Sequence, residues 1–229
     1  MTPRPEQDLP STVEVETPVG TARLWFRRAS RPATTLVLGH GAGGGIGARD
    51  LAALAAVLPA TGTTVVLLEQ PWRVAGRKVA GPPAQLDRAF EAALAVVATL
   101  SGSADPGTAG TRLVVGGRSA GARVACRMAG AVGAKGVVAL AFPLHPPGRP
   151  ERSRAAELLG TGVPTLVVQG ERDPFGTPAE LPAGPDLRAV APVPYADHGF
   201  KVPSRADLTQ EAALDLIVVA VREFLNRLG

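Results

Sequence analysis

The sequence predicts a doubly wound α/β architecture, a mostly parallel central sheet with helices on both faces, and three observations carry that expectation. Six short runs, TTLVLG (Thr34–Gly39), TTVVLLE (Thr63–Glu69), RLVVG (Arg112–Gly116), KGVVALA (Lys135–Ala141), VPTLVVQ (Val163–Gln169) and LRAVAPV (Leu187–Val193), are rich in β-branched residues and most are almost continuously apolar. Continuous apolarity marks strands covered on both faces, as in a parallel sheet flanked by helices. Helical segments separate most of these runs, and strands that alternate with helices build βαβ units with right-handed crossovers.

Taken in order, about ten Pro-rich residues (1–10) form an expected flexible start, and residues 11–229 an expected single domain, a usual length for one α/β unit. Val13–Glu16 alternates as a strand, and the turn residues TPVG lead into a second strand, Thr21–Arg28, giving an antiparallel hairpin. Helices are expected over roughly Ala48–Pro59, Pro83–Leu100, Ser119–Val132 and Ala206–Leu228. Within the second, Leu86, Phe90, Leu94 and Val97 share one apolar face. The stretch SGSADPGTAG (101–110) reads as a loop inside the domain. Between Ala141 and Val163 the only helical stretch is PERSRAAELL, too short for a cap domain.

Composition excludes several function classes. Apolar residues make up 45% and charged residues 19% of the chain, ordinary values for a globular protein. The net charge is +4 and the pI about 10.0, but only Lys78, Lys135 and Lys201 are lysines, and the arginines are dispersed without interleaved aromatics, so no nucleic-acid partner is expected. The lone Cys126 permits no intramolecular disulfide and no thiolate metal cluster. The start of the chain lacks an apolar signal-like run, and no stretch of 18 apolar residues occurs, so a cytoplasmic protein without a membrane partner is expected. The sequence leaves the oligomeric state open.

Chemistry concentrates around GGRSAGAR (116–123), which contains G-x-S-x-G from Gly117 to Gly121. With 27 glycines in 229 residues a bare match arises by chance about 0.1 times, so placement must decide. The motif directly follows a predicted strand and opens a predicted helix, the sharp turn that exposes a nucleophilic serine. Ser119 is therefore the candidate nucleophile.

A serine hydroxyl needs a base, and the base an orienting acid. His198, in YADHGF after the last predicted strand, is the candidate base, ahead of His40 and His145. The acid is expected after the preceding strand, where GERDPFG offers Asp173 and Glu171. Asp173 is preferred because Asp-Pro fixes a carboxylate in a turn. Asp197 is the weaker alternative, since neighbouring side chains in an extended loop point apart. An oxyanion hole is expected from the backbone N–H groups of Ala42, in HGAGGGIG (40–47), and of Ala120. Possible substrate contacts are His40, Trp72, Arg73, Arg118 and His145; cations near the catalytic edge, Arg123 and Lys201 among them, would favour a carboxylate-bearing ester, and the missing cap a short one. A rival reading takes Gly39–Gly44 as a G-x-G-x-x-G dinucleotide loop with Glu69 as the ribose ligand. It explains neither GGRSAG nor the ordered GERDPFG and YADHGF.

Together HGAGGG, EQPWR, GGRSAGAR, FPLHPPGRPE, QGERDPFG and ADHGF resemble the group of α/β-hydrolase-like proteins that contains testis-expressed protein 30 and its chromatin-complex relative, related to the dienelactone hydrolases. The resemblance runs from about Thr34 to the C-terminus. It implies the α/β-hydrolase fold and supports Ser119, Asp173 and His198 as nucleophile, acid and base. The expected activity is hydrolysis of a small-molecule ester or thioester, with no cofactor and no metal. Chromatin-associated members of the group also imply a second possibility, a non-catalytic interaction module.

Overall fold

A computed structural model describes residues 11–102 and 110–228. The expected flexible start, 1–10, and residues 103–109 of the expected loop lie outside the described residues.

Eight strands form one sheet in the order β1-β2-β4-β3-β5-β6-β7-β8. β1 (Thr12–Thr17) and β2 (Gly20–Arg27) are the antiparallel hairpin, and β2 runs antiparallel to β4 (Thr63–Glu69). β3 (Thr34–Gly39), β4, β5 (Arg112–Arg118), β6 (Val137–Leu140), β7 (Thr165–Gly170) and β8 (Leu187–Val193) are parallel. Helices α3 (Pro83–Gly102), α4 (Ala120–Met128) and α5 (Ala155–Leu159) cover one face; α1 (Arg49–Val57) and α6 (Gln210–Arg227) cover the other. A one-turn helix, α2 (Pro71–Val74), follows β4 and has no counterpart in the sequence expectation.

The reason for the continuous apolar runs is visible in β3. Val37 packs in the cluster under α3 and α4, while Leu36 and Leu38 pack in the cluster under α1 and α6. Both side-chain directions are therefore buried. The face predicted for α3, Leu86, Phe90, Leu94 and Val97, lies wholly in the first cluster. No large cap interrupts the fold, since the segment after β6 contains only the five residues of α5. Among the described residues no helix is long and apolar enough to cross a membrane.

Boundaries differ from the sequence expectation where glycine and backbone strain intervene. β5 runs on through two glycines to Arg118 because β3 and β6 still pair with it, Gly39 opposite Gly117 and Leu140 opposite Arg118. A Cβ on Gly117 would lie 2.6 Å from the Gly39 carbonyl oxygen, so a bare backbone is what lets α4 start over the end of β3. β6 stops at Leu140 because Ala141 turns to φ 45°. α6 begins at Gln210, where Thr209 accepts a hydrogen bond from the Ala212 amide at 3.1 Å and caps the helix.

A half-buried ion network fixes α4, the helix behind Ser119, to its neighbours. Arg123 makes a two-pronged pair with Glu157 of α5 (2.6 and 2.8 Å), and Arg127 binds Asp87 of α3 (2.6 and 3.0 Å) and also Glu157 (3.0 Å). Arg123 is thus committed to α5 rather than to a substrate mouth. Burial works to raise the Glu157 pKa, but the hydrogen bonds and charges of Arg123 and Arg127 prevail and hold it below its ordinary value. A depressed carboxylate pKa contributes stability above its unfolded value, lost as pH falls through the folded value. Glu157→Gln is therefore expected to cost about 1–2 kcal/mol near neutrality. The gap to wild type should close on acidification below about pH 4. Urea melts at neutral and acidic pH check this; a gap that stays constant or widens in acid contradicts it.

Candidate active site

Ser119 occupies the turn between β5 and α4 with φ 54° and ψ −111°, a left-handed conformation that a non-glycine residue adopts only under constraint. Its N–H donates to the Leu140 carbonyl at 2.9 Å, and its own carbonyl accepts the Arg123 amide at 3.2 Å. The strand on one side and the helix on the other thus hold the strained residue, and its side chain stands at the carboxyl edge of the sheet.

The three residues named from sequence meet in one hydrogen-bonded line. His198 Nε2 lies 2.9 Å from Ser119 Oγ, and His198 Nδ1 lies 2.8 Å from Asp173 Oδ2. With Nδ1–H donating to the carboxylate, Nε2 is left as acceptor for the serine O–H. The imidazole packs on the Phe175 ring, centroids 4.3 Å apart. Asp173, 2% exposed, also accepts the Phe175 amide at Oδ1 (2.8 Å) and Gln169 Nε2 at Oδ2 (2.9 Å). The other acids serve elsewhere: exposed Glu171 accepts the Tyr195 amide at 3.3 Å. Asp197 Oδ1 accepts the amides of Gly199 (2.7 Å) and Lys201 (2.8 Å), closing the turn that carries His198.

The Ala42 loop is shaped from beneath by His40. Its Nε2 accepts the Gln70 amide at 3.1 Å, which places the ring proton on Nδ1, 2.9 Å from the Gly41 carbonyl. Burial lowers the His40 pKa and favours this neutral form. In a planar trans peptide the C=O and the following N–H point in opposite directions, so fixing the Gly41 carbonyl turns the Ala42 N–H away from His40. Ala42 and Ala120 line one small cavity of about 10 Å³, room for one water-sized group. The N-terminus of α4, with its unpaired amides, opens beside it.

The possible substrate contacts divide into two sets. Trp72 lines this small cavity and an adjoining one of about 260 Å³, and exposed Arg73 lies against Gly45 of the glycine loop. His40 also borders the small cavity, but its ring nitrogens, like the side chains of Arg118 and His145, have partners inside the protein. His145 faces Glu180 (3.2 Å) and the Pro146 carbonyl (3.0 Å), and Arg118 donates to the His198 carbonyl. Glu69, which the dinucleotide reading needs, faces Arg23 (3.6 Å) and Trp25 Nε1 (3.4 Å). Among the described residues no group of three or more His, Cys, Asp or Glu side chains is arranged to hold a metal ion. Gln169 and Asp50 are site residues that sequence reasoning missed. The signal for Gln169 was a single amide in the apolar strand TLVVQG; Asp50 gave none.

An eight-stranded, mostly parallel sheet with a serine at the β5–α4 turn defines an α/β hydrolase. The profile of the alpha/beta hydrolase domain family matches residues 32–226, and the chain belongs to that family. No curated protein matches the sequence. Among solved structures, the chain is similar to an alpha-beta serine hydrolase homologue from Coxiella burnetii, at 17% identity and TM-score 0.70, covering 93% of this chain and 96% of that one. It is similar to a dienelactone hydrolase from Anabaena variabilis, at 18% identity and TM-score 0.70, covering 94% and 96%. A serine hydrolase described as lacking a lid, from Xanthomonas campestris, aligns at 19% identity and TM-score 0.63, covering 96% of both chains. At these identities the likeness is one of fold.

Proposed function

We propose that the chain, as a single domain from residue 11 onward, is a serine hydrolase of the testis-expressed protein 30-like type that cleaves a small ester or thioester through an acyl-enzyme. The observation that carries the reading is the unbroken line from Ser119 through His198 to Asp173, at 2.9 and 2.8 Å. In the reaction, His198 Nε2 takes the Ser119 proton as Oγ attacks the acyl carbon. The N–H groups of Ala42 and Ala120 receive the charge that develops on the carbonyl oxygen. His198 then passes its proton to the departing alcohol or thiol, leaving the acyl group on Ser119. A water molecule deprotonated by His198 releases the acid and restores the serine. Asp173 stays ionised and holds the imidazole tautomer throughout. This chemistry needs no cofactor.

An active-site-directed fluorophosphonate tests the reading. Labelling mapped to Ser119 is expected; a folded protein that resists labelling is instead a hydrolase-fold interaction module. One further outcome follows from the geometry. With no large cap to enclose a long chain, and an adjoining cavity of about 260 Å³, p-nitrophenyl acetate and butyrate should be turned over faster than the palmitate. A preference for the long chain excludes the open-site reading.

A further inference from the structure

Arg118 stands next to the nucleophile in sequence, yet its side chain is only 15% exposed and joins three segments of the site. Its Nη2 donates to the His198 carbonyl at 2.8 Å. Its Nη1 lies 3.2 Å from where a Cβ on Gly41 would sit, so the guanidinium rests on the backbone of the glycine loop. Its Nε is 3.5 Å from Oδ2 of Asp50, in the first turn of α1.

We infer that Arg118, balanced by Asp50, is a positioning residue that clamps the His198 loop and the glycine loop to the nucleophile turn. The inference rests on the triad reading above and adds a part to it. The loop carrying His198 needs such a restraint, because Tyr195 and Phe200 both hold strained positive φ, 60° and 52°. Gln210 grips its far end through the Phe200 carbonyl (2.8 Å) and the Val202 amide (3.1 Å), and the Asp197 carboxylate closes its turn. At the His198 backbone carbonyl the donor is Arg118. A charged donor makes a hydrogen bond roughly twice as strong as a neutral one, and a planar fork can serve several partners at once.

Asp50 supports the assignment independently. It is 0% exposed; the amides of Asp50 and Leu51 at the start of α1 also favour its ionised form, but neither of its oxygens has a hydrogen bond of good geometry among the described residues. Burial raises its pKa, and the charge of Arg118 is the largest influence pulling the other way. A buried carboxylate in this position needs a cation close by, and Arg118 supplies it. A guanidinium so engaged is not a free receptor for a substrate anion, which moves Arg118 from recognition to alignment.

The test compares Arg118→Gln, Arg118→Lys and Asp50→Asn with wild type on p-nitrophenyl acetate, alongside Arg123→Gln, which breaks the half-buried pair with Glu157 on α4, the helix on the other side of the same turn. Arg118→Gln should lower kcat about ten- to a hundredfold, with KM changing less than about threefold. It should also broaden or shift the far-downfield proton resonance of the His198–Asp173 hydrogen bond. Arg118→Lys should recover part of the loss, because an ammonium reaches one partner but not all. Asp50→Asn should lower kcat less, and combining it with Arg118→Gln should cost less than the sum of the two. Arg123→Gln should lower the melting temperature without lowering kcat. If Arg118→Gln fails to fold, the lysine variant carries the same comparison. An Arg118→Gln enzyme with wild-type kcat and an unmoved resonance overturns the clamp, as does an equal kcat loss in Arg123→Gln. Wild-type protein that neither turns over ester nor takes the fluorophosphonate defeats the triad reading instead.

Discussion

Replacing Ser119 with alanine is expected to reduce kcat on p-nitrophenyl acetate by a factor approaching about 10⁶, leaving only what the oxyanion hole and binding supply. The fold should survive. Alanine meets the same strain at φ 54° as serine does, and the hydroxyl removed has His198 as its hydrogen-bond partner. Circular dichroism and the melting temperature should therefore match wild type while turnover disappears and fluorophosphonate labelling is lost. Residual turnover near the wild-type rate moves the nucleophile elsewhere.

The next largest effect is expected from Asp173→Asn, a drop of about 10⁴ in kcat. Asp173 accepts three N–H donors, from His198, Gln169 and Phe175. An asparagine must point its NH₂ at one or two of them. Either the imidazole flips its tautomer and loses the ability to take the serine proton, or Gln169 or Phe175 is left facing another donor. Unlike the change at half-buried Ser119, this one should also lower stability, by about 1–3 kcal/mol, since the carboxylate is buried and its donors would be orphaned. Glu171→Gln, on an exposed side chain two residues away, should leave both quantities near wild type. The opposite ranking of the two variants, in steady-state kinetics and urea melts, transfers the acid to Glu171.

What could be read from the chain was whatever local pattern determines. The runs in β3, β4 and β7 declare themselves because both of their faces are buried, and the order of GGRSAG, GERDPFG and YADHGF places each candidate just beyond a strand. What stayed hidden depends on where a side chain goes after the backbone has folded. Arg118 read as a mouth residue because it adjoins Ser119, whereas its guanidinium turns toward Asp50 and His198. Asp50 gave no sign, as an acid in the first turn of a helix is ordinary on a surface and this one is wholly buried. Gln169 was a polar residue at a strand end until Asp173 and the Gly176 carbonyl came within its reach. The short α2 escaped because four residues, the first of them a proline, carry no periodicity.

The strand order has a consequence for when Ser119, Asp173 and His198 can meet. From β5 onward each strand lies beside the one made just before it, so the sheet can grow outward in the direction of synthesis. Ser119 follows β5, the first of these four strands to be made, Asp173 follows two strands later, and His198 arrives only after the last strand, 79 residues from Ser119. Contacts over such separations are slow to close and cannot be replaced by local structure. A nascent or partly refolded chain can therefore hold most of its secondary structure with no imidazole in place, so that under the proposed mechanism ester turnover is expected only once the outermost strand has docked.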